Sequence, residues 1–550
     1  MQSLPVFRID NDNKNVSDIT KKCIDITLKF QDKFKYYPNF IVSSPGRVNI
    51  IGEHIDYEEF PVLPMAINKN ILCAVRILEN SHSISIYNDN YEKFAEKKFD
   101  LPLNGELISI DPSISDWSNY FKCGLLVAHK FLKKKYPDRF NNAMLKGLYI
   151  YIKGDIPTES GISSSAAMCV TVAALIIRSN LGPEYSISKK ELIAITEGAE
   201  HYIGVSTGSM DPAVIICNES NKLSFINFKP QLSTSNVELP VFNSENNIRF
   251  LIANTLVSSN KYETGPINYN LRVVEDTIAA NILAAKYGFQ LNRRMTESFT
   301  YDEDDYDMTF NSTRKQQTFS KGNLRDFMDA YFARHLNDES ELFINPNDHN
   351  SIKRTEQMLN TMINLLDNCF PNDNNQHSTG YSIPELAGLL NCSRDEFTRE
   401  YLLVNPVRFQ TLKVYQRSKH VFTEALRVIK CIELINFHGD LSMDRFLKEL
   451  GRLMHESQRS CDELYECSCP EIDEVCEIAI ANGSYGSRLT GAGWGGCTVH
   501  LVSSDEQIEN IKRSLRENYY LKHNPSITEE ELKNAMIVST PSMGSCIFEL

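Results

Sequence analysis

Gly154-Asp-Ile-Pro-Thr-Glu-Ser-Gly-Ile-Ser-Ser-Ser-Ala-Ala167 follows an apolar, branched run, Leu148 to Ile152, and leads into a helical pattern, Met168 to Ile177. Strand, small-residue loop, helix is therefore the predicted local order. It places Gly161, Ser163, Ser164, Ser165 and Ala166 at a helix N-terminus. There, unpaired backbone N–H groups and the positive end of the helix dipole favour an anion, and a serine hydroxyl can reach a phosphate-bound cation. A serine cap without a ligand is the plain alternative. No Gly-Lys-Ser/Thr follows, so this is not a Walker loop.

Outward from that loop, the first half of the chain alternates strand-like and helical segments: Ile71 to Leu78 reads as strand and Phe121 to Leu132 as helix. The later half is more helical, and Val421, Ala425, Val428, Ile432 and Ile435 form one apolar stripe on a core-facing helix. Residues 290–321 and 372–376 are polar insertions, expected as surface loops, the first carrying Asp302-Glu-Asp-Asp305. At 550 residues, 42% hydrophobic and 23% charged, the chain is expected to be a globular protein of two lobes.

The net charge of −14 argues against a broad nucleic-acid or anionic-membrane surface. Lys133-Lys134-Lys135 reads as a solvated helix end. Met1 to Val16 has no signal-peptide core, and no unbroken apolar run approaches the roughly 18 residues of a membrane helix. Fourteen cysteines without an export signal read as reduced thiols, and Cys461, Cys467, Cys469 and Cys476 lack zinc-finger spacing. A cytoplasmic location is the expectation.

Two further motifs carry chemistry. In Ser44-Pro-Gly-Arg-Val-Asn-Ile-Ile-Gly-Glu-His-Ile-Asp56, Pro45-Gly46 reads as a turn, followed by Arg47, Glu53, His54 and Asp56. Such a set suits the hydroxyls of a sugar, with a cation for phosphate; a surface ion-pair cluster is the alternative. In Arg488-Leu-Thr-Gly-Ala-Gly-Trp-Gly-Gly-Cys-Thr-Val499, the glycines permit positive φ and close approach of backbone to a ligand, ahead of a strand from Thr498 to Val502.

In this order and spacing, the three motifs resemble those of the GHMP small-molecule kinases, and the form around Arg47 to Asp56 is similar to that of galactokinases. Ser115-Asp-Trp-Ser-Asn-Tyr-Phe-Lys-Cys123, Asn260-Lys-Tyr-Glu-Thr264, Asn268-Tyr-Asn-Leu-Arg272, Asn323-Leu-Arg-Asp-Phe-Met328 and Tyr465-Glu-Cys-Ser-Cys-Pro470 look like the fungal subgroup. That subgroup holds both galactokinases and galactose sensors that relieve a transcriptional repressor.

The resemblance implies an α/β (α+β), two-lobed GHMP fold with the active site between an N-terminal domain, 1–237, and a C-terminal domain, 238–550. It implies galactose and ATP as substrates, Mg²⁺ as cofactor, and phosphorylation of the anomeric hydroxyl. By the same resemblance Asp211 faces that hydroxyl and Arg47 stabilises the transferring phosphoryl. Glu53, His54, Asp56, Gly208 and Tyr269 surround the sugar with them. Ser165 and Glu200 match the Mg²⁺ ligands, Gly161 and Ser163 to Ala166 hold the phosphates, and Trp117 lies where adenine packs.

Three positions depart from the family pattern: Glu159 stands for a glycine, and Ser209 and Pro212 replace Gly and Gln around Met210-Asp211. Proline fits the first helical position if Asp211 caps a short helix. Ser164-Ser165-Ala166-Ala167 is full length, whereas the sensors lack a Ser-Ala pair there. An active galactokinase, a sensor with a repressor partner (and then a nuclear as well as cytoplasmic place), and a kinase of N-acetylgalactosamine remain as alternatives.

Overall fold

The computed structural model describes residues 2–9, 18–114, 116–203, 208–242, 248–258, 264–291, 321–334, 342–403 and 407–550. Most of the 290–321 insertion, Asn260 to Glu263 and Ser115 lie outside the described residues. Its strands are β1 (Val6–Arg8), β2 (Phe40–Ile51), β3 (Leu63–Leu78), β4 (Ser83–Asn88), β5 (Lys97–Asp100), β6 (Gly147–Gly154), β7 (Lys222–Asn227), β8 (Ser233–Glu238), β9 (Arg249–Asn254), β10 (Gly486–Thr490), β11 (Cys497–Val502), β12 (Met536–Ser539) and β13 (Cys546–Glu549). The helices that matter below are α1 (Asp18–Phe34), α2 (Ser118–Lys135), α3 (Ser164–Leu181), α4 (Met210–Cys217), α5 (Tyr269–Lys286), α6 (Val414–Asn436) and α7 (Met443–Glu463).

A seven-stranded sheet has the order β1-β13-β2-β3-β6-β4-β5, and a four-stranded sheet the order β10-β11-β9-β12. Alternation along the central strands explains why the first sheet is covered on both faces. Ile41, Leu72, Ala74 and Tyr151 pack on Cys23, Ile26 and Phe30 of α1, while Val42, Cys73, Val75 and Ile150 face the core that holds α3. Among the described residues one helix, Ser164–Leu181, is long and apolar enough by length and composition to cross a membrane, and in this fold it is mostly buried. The second sheet packs Leu251, Ala253 and Val502 against helical residues Val475, Ala479, Ile508, Ile511 and Leu515.

The strand β13 joins β2 and β1 in the first sheet. A division at residue 238 therefore follows the sequence but not the sheet, whose strands come from both ends of the chain.

Pro45-Gly46 is not a turn. Strand β2 runs straight through it, with an irregularity in its pairing to β3 between Pro45 and Arg47. A bulge tolerates the missing proline N–H in a central strand. Gly46 is required by crowding: a Cβ there would lie 2.9 Å from the carbonyl oxygen of Ile162 in the serine loop.

The helix read from Phe121 to Leu132 is α2, and all five residues of the predicted stripe on α6 are buried. At the end of α2, Lys134 and Lys135 are exposed, and Lys133 donates to the carbonyl of Gly105. In the 372–376 insertion, residues 372–375 are exposed, but Gln376 is buried and bonds to Glu385.

Candidate active site

The three motifs interlock through backbone and buried polar contacts. Ser163, in a left-handed conformation at φ 62°, is the residue before α3, so Ser164, Ser165 and Ala166 form its first turn. The bulge in β2 lets Arg47 reach this loop: its backbone N–H donates to Ile162 O at 3.2 Å and its Nη1 to Gly161 O at 2.7 Å. From the third motif, Thr490 Oγ accepts from the Asn49 N–H at 2.8 Å. A Cβ on Gly491 would come within 2.5 Å of Gly161 O, and one on Gly496 within 2.9 Å of Ser160 O. The close approach predicted for these glycines is thus made, in the first instance, to the serine loop itself.

Arg47 also grips Asp211 with two parallel bonds, Nε to Oδ1 at 2.6 Å and Nη2 to Oδ2 at 3.0 Å. Ser163 Oγ donates to the same Oδ2 at 2.5 Å. Burial works against the charge on Arg47, yet Asp211, aided by Glu53 and Asp56, holds its pKa above the ordinary arginine value. A bidentate, charge-assisted pair of this kind fixes both side chains. The serine loop and Asp211 therefore meet at one point.

Asp211 is not the cap of its helix: Ser209 holds that position, and Asp211 follows two residues later. Helix α4 begins at Met210, so Asp211 and Pro212 occupy its first turn, where a proline nitrogen leaves no bond unmade. Ser209 Oγ donates to Glu197. Glu159 is exposed and adopts φ 60°, a left-handed conformation that explains a glycine as the commoner occupant.

Beside the pair, Asp56 is pushed up to about 7 by burial and by the charges of Asp211 and Glu53. A Cβ on Gly208 would lie 1.9 Å from Asp56 Oδ2, so any larger residue there would have to displace the Asp56 carboxylate. Tyr269, the first residue of α5, has its phenol pKa raised well above normal by burial and then by Asp56 and Asp211. Its ring packs on those of Tyr57 and His54 at 5.3 and 5.7 Å.

Glu53 and His54 are held more tightly than a free sugar-binding pair. Glu53 accepts from Gly491 N at 2.9 Å, Arg488 Nη1 at 3.4 Å and Asn49 Nδ2 at 3.1 Å. His54 Nε2 lies 2.9 Å from Ala492 O and Nδ1 3.2 Å from Tyr57 OH. Glu200 is buried in the short helix Ala199–Ile203. The bond to Cys123 and burial raise the thiol of Cys169, one turn beyond Ser165 on α3, and burial raises the phenol of Tyr120; the charge of Glu200 adds to both. A serine hydroxyl and a carboxylate on neighbouring elements are hard oxygen donors of the kind Mg²⁺ takes. Trp117 precedes α2 edge-on to Phe94 at 5.9 Å, and its buried Nε1 has no hydrogen-bond partner among the described residues.

Sequence reading missed the frame behind these groups. Glu424 of α6 accepts from Gly52 N at 2.8 Å, Arg427 Nε at 2.7 Å and Ser457 Oγ of α7 at 2.6 Å. Against burial, Arg427 and Arg488 bring it down to about 2. His420, held by burial near 4 and thus neutral, lies 3.0 Å from Glu53 O. The available signal was the polar series His420, Glu424, Arg427 at helical spacing beside the apolar stripe, the mark of a helix buried on two sides. Among the cysteines near α7, Cys461, Cys467 and Cys476 are buried, and burial raises the pKa of Cys467 and Cys476.

The chain that locks this serine loop to a Gly-rich strand pair, with a buried Arg-Asp couple at the junction, matches the small-molecule kinases of the GHMP class. The family descriptions that match are the galactokinase galactose-binding signature over residues 28–77, the GHMP kinases N terminal domain over 119–219 and the GHMP kinases C terminal over 441–521. The galactokinase of Saccharomyces cerevisiae is 49% identical, over 97% of this chain and 96% of the relative. That of Schizosaccharomyces pombe is 37% identical over 100% and 99%. The fold is similar to that of a crystal structure of Lactococcus lactis galactokinase complexed with galactose, with a TM-score of 0.59 and 20% identity over 95% and 99% of the two chains. The chain belongs to the galactokinase family.

Proposed function

We propose that the protein is a galactokinase, transferring the γ-phosphoryl group of ATP to the anomeric hydroxyl of galactose. The observation that carries this reading is the meeting of Arg47, Asp211 and Ser163 at the N-terminus of α3. Phosphoryl transfer asks little covalent chemistry of a protein; it needs an aligned hydroxyl and charge to match the moving phosphoryl. Asp211 orients the hydroxyl and takes its proton, while Arg47 keeps that carboxylate in place and faces the phosphoryl. Asp56, Gly208 and Tyr269 shape the wall for the sugar, with Glu53 and His54 behind and beside them. Gly161 and Ser163 to Ala166 receive the phosphates, and Trp117 is the surface for adenine. Ser165 and Glu200 would hold Mg²⁺, which screens charge on the phosphates.

Glu159 turned to solvent and Pro212 tucked into a first helical turn are compatible with catalysis, and the full-length Ser164-Ser165-Ala166-Ala167 favours it over a sensor that binds without turnover, and with it over a repressor as partner. Fourteen free cysteines accord with a reducing cytoplasm. The test is ADP release by purified protein with ATP and Mg²⁺. Release on adding galactose supports the proposal; joint binding of galactose and ATP without ADP overturns it in favour of a sensor. A faster reaction with N-acetylgalactosamine overturns the choice of acceptor.

A further inference from the structure

Behind the proposed sugar wall, four side chains from three separate regions form one hydrogen-bonded chain. It starts at the carbonyl of Ala492, 2.9 Å from His54 Nε2, and passes through Nδ1 to Tyr57 OH at 3.2 Å. It continues to Tyr465 OH and ends at Asp276 Oδ2, 2.7 Å beyond. A carbonyl can only accept, so His54 Nε2 carries hydrogen. Each tyrosine has one hydrogen to give. Two arrangements then satisfy every contact: Asp276 donates and the chain runs toward a neutral His54, or an imidazolium donates and the chain runs toward an Asp276 carboxylate.

The surroundings of Asp276 choose between them. Its side chain is wholly buried, and Oδ1 has no hydrogen-bond partner among the described residues. On its own helix, Arg272 donates to the carbonyls of Tyr465 and Glu466 at 2.7 and 3.2 Å and approaches Glu275 at 3.7 Å. From α6, Arg417 is bound to Glu275 at 2.9 Å and Glu466 at 2.7 Å, and Lys413 is paired with Glu466. His420, its ring tilted against that of Tyr465 at 4.3 Å, is neutral. The neighbouring cations are thus committed elsewhere, and a buried carboxylate with one bare oxygen would be costly.

We infer that Asp276 is a protonated, neutral acid that donates to Tyr465, and that Tyr465 and Tyr57 pass this direction on to His54, fixing it as the neutral imidazole with hydrogen on Nε2. Burial, the largest influence on Asp276, pushes its pKa up to about 8, in accord with the geometry. Asp276, Tyr465 and Tyr57 are positioning residues for His54. Their effect on sugar affinity rests on the proposed function; the protonation of Asp276 does not.

Two measurements on the ligand-free full chain test the inference. In the folded protein Asp276 keeps its proton to about pH 8, whereas an unfolded aspartate loses it near about 4. Its stabilising contribution is therefore complete below the lower value and lost as pH rises through the upper one. Melting temperature should fall from pH 6 to 9 more steeply for wild type than for Asp276→Asn, whose amide donates like the acid and does not titrate. Parallel curves overturn the inference. Nitrogen NMR of the His54 ring, assigned by its loss in His54→Asn, should show a neutral ring with an unprotonated Nδ1 at pH 7 in wild type and Asp276→Asn. An imidazolium overturns it without need of an Asp276 variant. With galactose and calorimetry, Asp276→Leu, which cannot donate, should bind about tenfold more weakly while Asp276→Asn stays within about twofold, tenfold corresponding to loss of about one hydrogen bond. Equal affinity for both variants removes the positioning role. Galactose binding by neither variant nor wild type would fault the proposed function instead.

Discussion

Asp211 holds Arg47 and is held by Ser163, so its removal acts on chemistry and on stability together. Asp211→Ala leaves a buried guanidinium without its partner and is expected to cost about 3–5 kcal/mol as well as turnover. Asp211→Asn keeps the shape and one acceptor oxygen but turns an amide N–H toward Arg47 or Ser163; it should lower kcat about 10²–10⁴-fold while destabilising less than the alanine variant. A variant of either kind with near-normal kcat would remove Asp211 from the reaction. Asp56 has a different signature. Its folded pKa of about 7 lies above the unfolded value, so the native state binds the extra proton and loses that stabilisation as pH rises through 7. Asp56→Asn should flatten the fall in melting temperature between pH 4 and 7; an unchanged slope refutes the shift. At this scale Arg47, Asp56, Gly208, Asp211 and Tyr269 could be named from motifs by resemblance, and the fold brings them together. Asp276, Glu424 and Arg488 were not marked as site residues, since a buried polar residue declares itself only when its partners from distant segments are known.

The elements were legible where one period dominates, as in α2, α3 and α6. Strand β2 was misread because Pro45-Gly46 signals a turn locally, while its pairing with β3 and its contact with Ile162 are set by segments far along the chain. The glycines of the third motif carry a related lesson. Gly491, at φ 87°, has both a left-handed backbone and Gly161 O in the way of a Cβ, whereas Gly439, at φ 56°, has open space. Gly439→Ala should cost about 1 kcal/mol from backbone alone. Gly491→Ala should cost a further 1–3 kcal/mol or so by forcing the loops apart and should raise KM for ATP more than for galactose. Equal urea midpoints for the two variants would contradict the interlock.

Across the molecule, the sequence indicated two lobes and their kinase chemistry but not how the ends of the chain share one sheet. Pattern reading sees neighbours in sequence, and β13 has none of its sheet partners nearby. Deleting residues 545–550 removes the buried side chains of Ser545, Cys546, Ile547 and Phe548 and bares the edge of β2. The truncated protein is expected in the insoluble fraction, or with a much reduced melting temperature if recovered. Full solubility with an unchanged melting curve would show the strand to be dispensable.

The bond between Ser545 and Ser44 joins residues 501 positions apart. During synthesis, the strand bearing Arg47 leaves the ribosome long before its partner exists. Growing at about 5–20 residues per second, the nascent chain must keep that β-edge from pairing with other chains for tens of seconds. Catalytic competence, so far as it rests on that strand, is then acquired only once residue 545 has been made and can reach Ser44.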